Sequence, residues 1–112
     1  MKADTERLAT IYHALGSEVR LRILDLISRH REMCVCELVE ALGVSQTNVS
    51  HHVGKLKAAG LLTSRKTGTW VIYGLRIDEL SRHAGELAER LSRNLAKCTA
   101  KAVEVRIAGR CA

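Results

Sequence analysis

The chain has 112 residues, a formal net charge of +6, 46% hydrophobic and 27% charged residues, no proline and no phenylalanine. That length suits one domain with a limited core, for which a dimer sharing core would be natural. No apolar run approaches the ~20 residues of a membrane span, and Met1 to Arg7 lacks a signal-peptide core, so a cytoplasmic protein with no membrane partner is expected. The positive charge favours a polyanion such as nucleic acid. Four cysteines in a reducing compartment point to ligands or redox-active thiols rather than to a disulfide framework.

Leu8, Ile11, Tyr12 and Leu15 recur at helical spacing behind a cap at Asp4 or Thr5, and Gly16 ends that helix. Ser17 caps a second helix with Val19, Ile23, Leu26 and Ile27 inside and Ser28 to Glu32 as its polar exit. A short third helix, about Val35 to Leu42, turns Leu38, Val39 and Leu42 inward and places Glu37 near its positive end. Gly43 stops it, and Ser45 caps a fourth helix from Gln46 to about Ala59, with Val49, Val53 and Leu56 as its apolar stripe before Gly60. The period then shortens. Leu61 to Lys66 and Thr69 to Leu75 are rich in strand formers and flank a turn at Thr67-Gly68. Asp78 caps a last helix to about Lys97, carrying Leu80, Ala84, Leu87, Leu91 and Leu95. At ~30 Å it is as long as a small domain is wide, so part of its stripe calls for a partner, most simply a two-fold related copy. The expected organisation is one domain over 1–98 and a basic tail over 99–112.

Two short helices joined by Gly43-Val44-Ser45 match a helix-turn-helix. Gln46, Thr47, Asn48, Ser50, His51 and Lys55 lie on the polar side of the second, and His52 is grouped with them although it alternates with the core stripe. Gln and Asn pair with adenine edges, and Thr, Ser and Lys reach bases or phosphates, when a recognition helix enters the major groove. Ser45, at the helix N-terminus, suits a phosphate. Arg65 and Lys66 make the following hairpin basic, as a wing that touches the DNA backbone would be. The expected fold is therefore mainly α with a β-hairpin, in the order α-α-α-α-β-β-α: a winged helix-turn-helix whose partner is double-stranded operator DNA, and not an enzyme.

The segments Leu15-Gly16-Ser17-Glu18-Val19-Arg20-Leu21-Arg22-Ile23, Cys34-Val35-Cys36-Glu37-Leu38, Ser45 to His52 and Arg65 to Tyr73 resemble, in that order, the ArsR/SmtB family of metalloregulatory repressors. The resemblance extends from about Leu8 to Leu91. Its Cys-Val-Cys-Glu-Leu motif is similar to that of the thiolate sensors, above all those for arsenite and antimonite. It implies a homodimer joined through its terminal helices that binds an operator when ligand-free and lets go on binding a metal or metalloid. The third cysteine of one arsenite branch is here Val39, no cysteine precedes Cys34, and Asp78 with His83 does not reproduce the family's zinc site on the last helix.

As(III) and Sb(III) prefer several soft thiolates; cadmium, lead and zinc accept them too. Residues at i and i+2 share a side in an extended chain but not on a helix. Cys34 and Cys36 can therefore share an ion only if the helix starts at or after Cys36, or if its first turn unwinds. A further ligand is expected from Cys98, which continues the stripe beyond Leu95, or from Cys111 in the tail. All four cysteines would suit cadmium, lead or zinc, and a disulfide or persulfide would make a redox sensor instead. His13, His30 and His83 read as surface residues.

Overall fold

The computed structural model describes residues 2–108, with side chains for 5–78 and 80–96. Its elements are α1 (Lys2–Leu15), α2 (Glu18–His30), β1 (Glu32–Cys34), α3 (Val35–Leu42), α4 (Gln46–Ala58), β2 (Leu62–Thr67), β3 (Trp70–Leu75) and α5 (Asp78–Ala108). The chain divides into two compact units, one through Leu80 and one from Ser81 onward. Among the described residues no helix is long and apolar enough to cross a membrane.

In the first unit the apolar stripes of four helices meet. Ile11 of α1, Ile23 and Ile27 of α2, Leu38 of α3, and Val49, Val53 and Leu56 of α4 are all essentially inaccessible, with Leu61 and Leu62 closing the core at the start of the hairpin. Burying side chains of this size contributes about 1.5–3 kcal/mol each. Two details of α1 differ from expectation. It begins at Lys2, so Asp4 and Thr5 lie inside it rather than capping it. Tyr12 is 41% exposed, while Ala14 is buried. A residue next to Ile11 in sequence is turned about 100° away from it around the helix, off the buried stripe.

The helix boundaries follow local chemistry. The Ser17 hydroxyl accepts from the Arg20 N–H at the start of α2, and that of Ser45 accepts from the Asn48 N–H at the start of α4. Gly43 is left-handed (φ 68°), and its N–H donates to the Val39 carbonyl to end α3. After α4 the Leu61 N–H reaches the Leu56 carbonyl and the Gly60 N–H the Lys57 carbonyl, a Schellman stop with Gly60 at φ 78°.

The sheet has three strands, ordered β1-β3-β2, where two were expected. β1 pairs antiparallel with β3 through Glu32↔Gly74, Met33↔Tyr73 and Cys34↔Ile72. β2 pairs with β3 from Leu62↔Leu75 to Thr67↔Trp70. The hairpin loop is thus Gly68-Thr69, one residue later than expected, with Gly68 at φ 64°. β1 takes the residues read as the polar exit of α2 and the approach to α3. Three residues are too few for an alternating pattern to register, and what makes them a strand is β3, far along the chain.

α5 extends to Ala108, well past the expected end near Lys97 and through most of the segment read as a tail. On it Leu91 is 51% and Leu95 66% exposed. His83 is buried rather than at the surface; it lies one helical step of three from Leu80, on the apolar stripe.

Candidate functional site

The N-terminal half of α4 presents a continuous polar face. Gln46, Thr47, Asn48, Ser50, His51 and Lys55 are exposed, as is the capping Ser45. The apolar face fixes this presentation: Val49, Val53 and Leu56 are pinned in the core, so the polar residues are rotated outward. The N–H groups of the first turn other than that of Asn48, which Ser45 caps, and the partial positive charge at the helix start favour an approaching anion there. The arrangement can offer amide and hydroxyl groups to base edges and ammonium groups to phosphates.

His52, grouped with this face although it alternates with the core stripe, takes the half-buried position that the alternation allows. Its Nδ1 accepts from Nη1 of Arg20 at 3.1 Å. Arg20 is itself 8% exposed. Its Nε donates to the Ala14 carbonyl and its Nη2 to the His13 carbonyl at 3.2 Å. One guanidinium thus closes the C-terminal end of α1 and links it to the recognition helix. Because Nδ1 is an acceptor, His52 is neutral with its proton on Nε2. Burial, with Arg20, His51 and Lys55 nearby, holds its pKa below the ordinary histidine value. Neither partner was flagged by the sequence as a pair. Arg20 on an amphipathic helix looks like an ordinary surface charge, and only its burial shows otherwise.

The wing carries Arg65 and Lys66 on β2, both exposed. Arg65 is held by a carboxylate fork from Glu32 of β1, Nε to Oε2 at 2.8 Å and Nη2 to Oε1 at 3.0 Å, and its Nη1 donates to the Thr67 hydroxyl at 2.7 Å. The fork keeps the Glu32 carboxyl below its ordinary value. Lys57, late on α4, donates to the Ser64 hydroxyl and so ties the recognition helix to the wing.

The cysteine pair lies where wing and helix-turn-helix meet. Cys34 ends β1 in an extended conformation (φ −93°, ψ 168°) and is the N-cap of α3. The Glu37 carboxylate accepts from the Cys34 N–H at 3.0 Å, and the two residues form a capping box with sulfur in the position usually taken by a hydroxyl. This hydrogen bond lowers the Glu37 pKa. Cys34 is 8% exposed. Its thiol is pushed above the ordinary value, first by burial, then by the negative charge of Glu37. Cys36 is exposed in the first turn of α3. The helix therefore starts before Cys36, the case in which shared capture of an ion requires the first turn to unwind.

Among the described residues no group of three or more Cys, His, Asp or Glu is placed to hold a metal ion. The Cys98 side chain and the whole of Cys111 lie outside the described residues. The donors in view are two sulfurs, soft enough for a thiophilic ion but too few to complete its shell.

Residues 17–64 match the family model for bacterial regulatory proteins of the arsR family. The chain is 39% identical over 97 residues to the arsenical resistance operon repressor of Escherichia coli, covering 78% of this chain and 83% of that protein. It is 39% identical over 85 residues to an uncharacterized HTH-type transcriptional regulator of Methanocaldococcus jannaschii, covering 73% and 96%. Among solved structures, the homodimeric winged helix-turn-helix DNA-binding domain of a possible ArsR-family transcriptional regulator from Mycobacterium bovis superimposes with a TM-score of 0.66 at 29% identity, over 83% of this chain and 84% of that one. With its helix-turn-helix, its wing and these relatives, the chain belongs to the ArsR family of DNA-binding transcriptional regulators, which are not enzymes.

Proposed function

We propose that this chain is a homodimeric repressor that holds operator DNA with α4 and the wing, and releases it when arsenite or antimonite is taken up by Cys34 and Cys36 with a further sulfur from Cys98 or Cys111. The observation that carries the reading is the position of Cys34. It is at once the last residue of a strand paired with the wing and the N-cap of the first helix of the helix-turn-helix. An ion gripping both sulfurs draws Cys34 from its buried seat and unwinds the first turn of α3. Both DNA-contacting parts then lose their common anchor. A coupling of about 1–3 kcal/mol is enough to change affinity by one to two orders of magnitude. Arsenite and antimonite are neutral trihydroxides near neutral pH, so each bond to sulfur replaces a bond to hydroxide and the thiol proton leaves with that hydroxide as water; a divalent cation at the same thiols would instead release their protons.

The exposed Leu91 and Leu95 on α5 support the dimer, since an apolar stripe that one chain leaves open is what a second copy covers. The M. bovis relative is homodimeric by its description. Cadmium, lead or zinc is the competing inducer. Val39 supplies no sulfur beside Cys36, so the ligand set draws on Cys98 and Cys111, and four thiolates would suit zinc. In a redox sensor, the other competing reading, exposed Cys36 rather than buried Cys34 would meet an oxidant first.

The test is operator binding by the reduced protein, titrated with arsenite, antimonite, cadmium, lead and zinc. Cys34→Ser and Cys36→Ser are expected to bind operator and to retain it when arsenite is added; normal release by both would end the proposal. Arsenic X-ray absorption on single Cys98→Ser and Cys111→Ser variants counts the sulfur neighbours. A count that neither substitution lowers removes both residues from the site.

A further inference from the structure

Glu32 has no place in the repressor reading so far, yet it holds one of the two basic residues of the wing. The register explains how it reaches across the sheet. Cys34, Ile72 and Arg65 form one row of cross-strand partners, and Glu32, Gly74 and Thr63 form the next row on the same face. Between Glu32 and β2 the middle strand has a glycine. A Cβ on Gly74 would come 3.0 Å from the Thr63 hydroxyl and 3.9 Å from Cγ of Glu32. Such a Cβ would crowd Thr63 but stand in ordinary contact with Glu32, whose side chain runs past this backbone diagonally to Arg65.

The donors of Arg65 can be accounted for. A guanidinium has five N–H groups. Glu32 takes one on Nε and one on Nη2, and Thr67 takes one on Nη1. One N–H on each terminal nitrogen is left. With Glu32 on the Nε–Nη2 side, the second Nη2 N–H lies on the outer edge of the guanidinium beside Nη1, the edge with which arginine grips a phosphate. An exposed ion pair adds little to stability in general; a two-point fork with a third hydrogen bond instead selects one orientation of a long side chain. Trp70 pairs with Thr67 at the end of the same face, and both Trp70 and Arg65 are more than half exposed, so this end of the face is open to solvent.

We propose that Glu32 is the positioning residue for Arg65, holding its free edge in place for a phosphate of the DNA backbone. The inference rests on the operator-binding reading. Glu32 acts through Arg65 and touches no nucleotide. A negative charge near DNA would by itself weaken binding, so the two roles predict opposite signs.

The experiment uses the full-length protein and a duplex enriched from random sequence by the wild type. Wild type, Glu32→Gln, Arg65→Gln and the double variant are compared for affinity across salt concentrations. Arg65→Gln is expected to lower the salt slope by about 1, the signature of one lost phosphate contact. Glu32→Gln is expected to weaken binding about 3- to 10-fold, on the order of the ordering cost of one long side chain. In the Arg65→Gln background it should cost nothing. Tighter or unchanged binding by Glu32→Gln overturns the inference, as does the same loss with and without Arg65. If the wild type enriches no duplex at all, the operator-binding reading fails first, a result distinct from any ordering of the variants.

Discussion

On α4 the reading face is secured by its neighbours in sequence: Ser45 closes one end, Gly60 the other, and three apolar side chains of the same helix set its rotation. Cys34 is secured by residues remote in sequence. Its backbone is extended because Ile72 and Tyr73 pair with β1, and its thiol is buried by the tertiary fold rather than by its own helix. The first region can be changed at its surface without disturbing its shape. The second is a junction, where one residue belongs at once to a strand paired with the wing and to the cap of α3. A surface that reads DNA benefits from being independent of the rest. A sensor at this junction, as proposed, would be held by everything it must move.

Substitutions at the two regions should therefore have different readouts. The largest expected effect is on α4. Gln46→Ala and Asn48→Ala should each weaken operator binding by about 1–3 kcal/mol, a factor of about 5 to 150, with an unchanged melting temperature. A parallel loss of stability would show that the face is not independent. Next is Arg20→Met, which strips partners from two carbonyls and from His52. It should destabilise the fold by about 1–3 kcal/mol in a denaturant titration. An unchanged midpoint would mean that α4 is held by its apolar stripe alone.

Arg31, just before β1, is the one non-glycine residue at positive φ among those described (φ 74°, ψ −52°). Such backbone costs about 1–3 kcal/mol when it is over-determined by its surroundings. Arg31→Gly should raise stability by about 1 kcal/mol once the extra freedom of glycine in the unfolded chain is subtracted. A loss of stability would show that the arginine side chain, rather than the strand pairing, holds the entry to β1.

The smallest effect expected is a pH dependence. The folded pKa of His52 lies below its unfolded value, so the fold binds fewer protons there. Its contribution is complete above the unfolded value of about 6.5 and is lost as pH falls through the folded pKa. Melting temperatures between pH 8 and pH 5 should fall more steeply for the wild type than for His52→Gln. Equal slopes would place the acid sensitivity elsewhere.

The sequence by itself determined the four-helix core, the helix-turn-helix, the hairpin and α3 to within a residue. These rest on interactions a few positions apart: caps, the glycines at 43, 60 and 68, and apolar spacing that records which side of a helix faces inward. It also singled out Cys34 and Cys36, because their chemistry is legible without coordinates. Only the tertiary structure decided that Glu32 to Cys34 is a strand, that Arg20 and His52 are buried partners, and that Glu32 forks Arg65. Each joins residues more than thirty positions apart, and no periodicity records such a pairing. The positive φ before β1 falls on an arginine, where no glycine announces the turn. Which of the two thiols is buried was decided in the same way: Cys34 lies between a helix it caps and a strand it pairs with, and Cys36, in the first turn of α3, faces solvent.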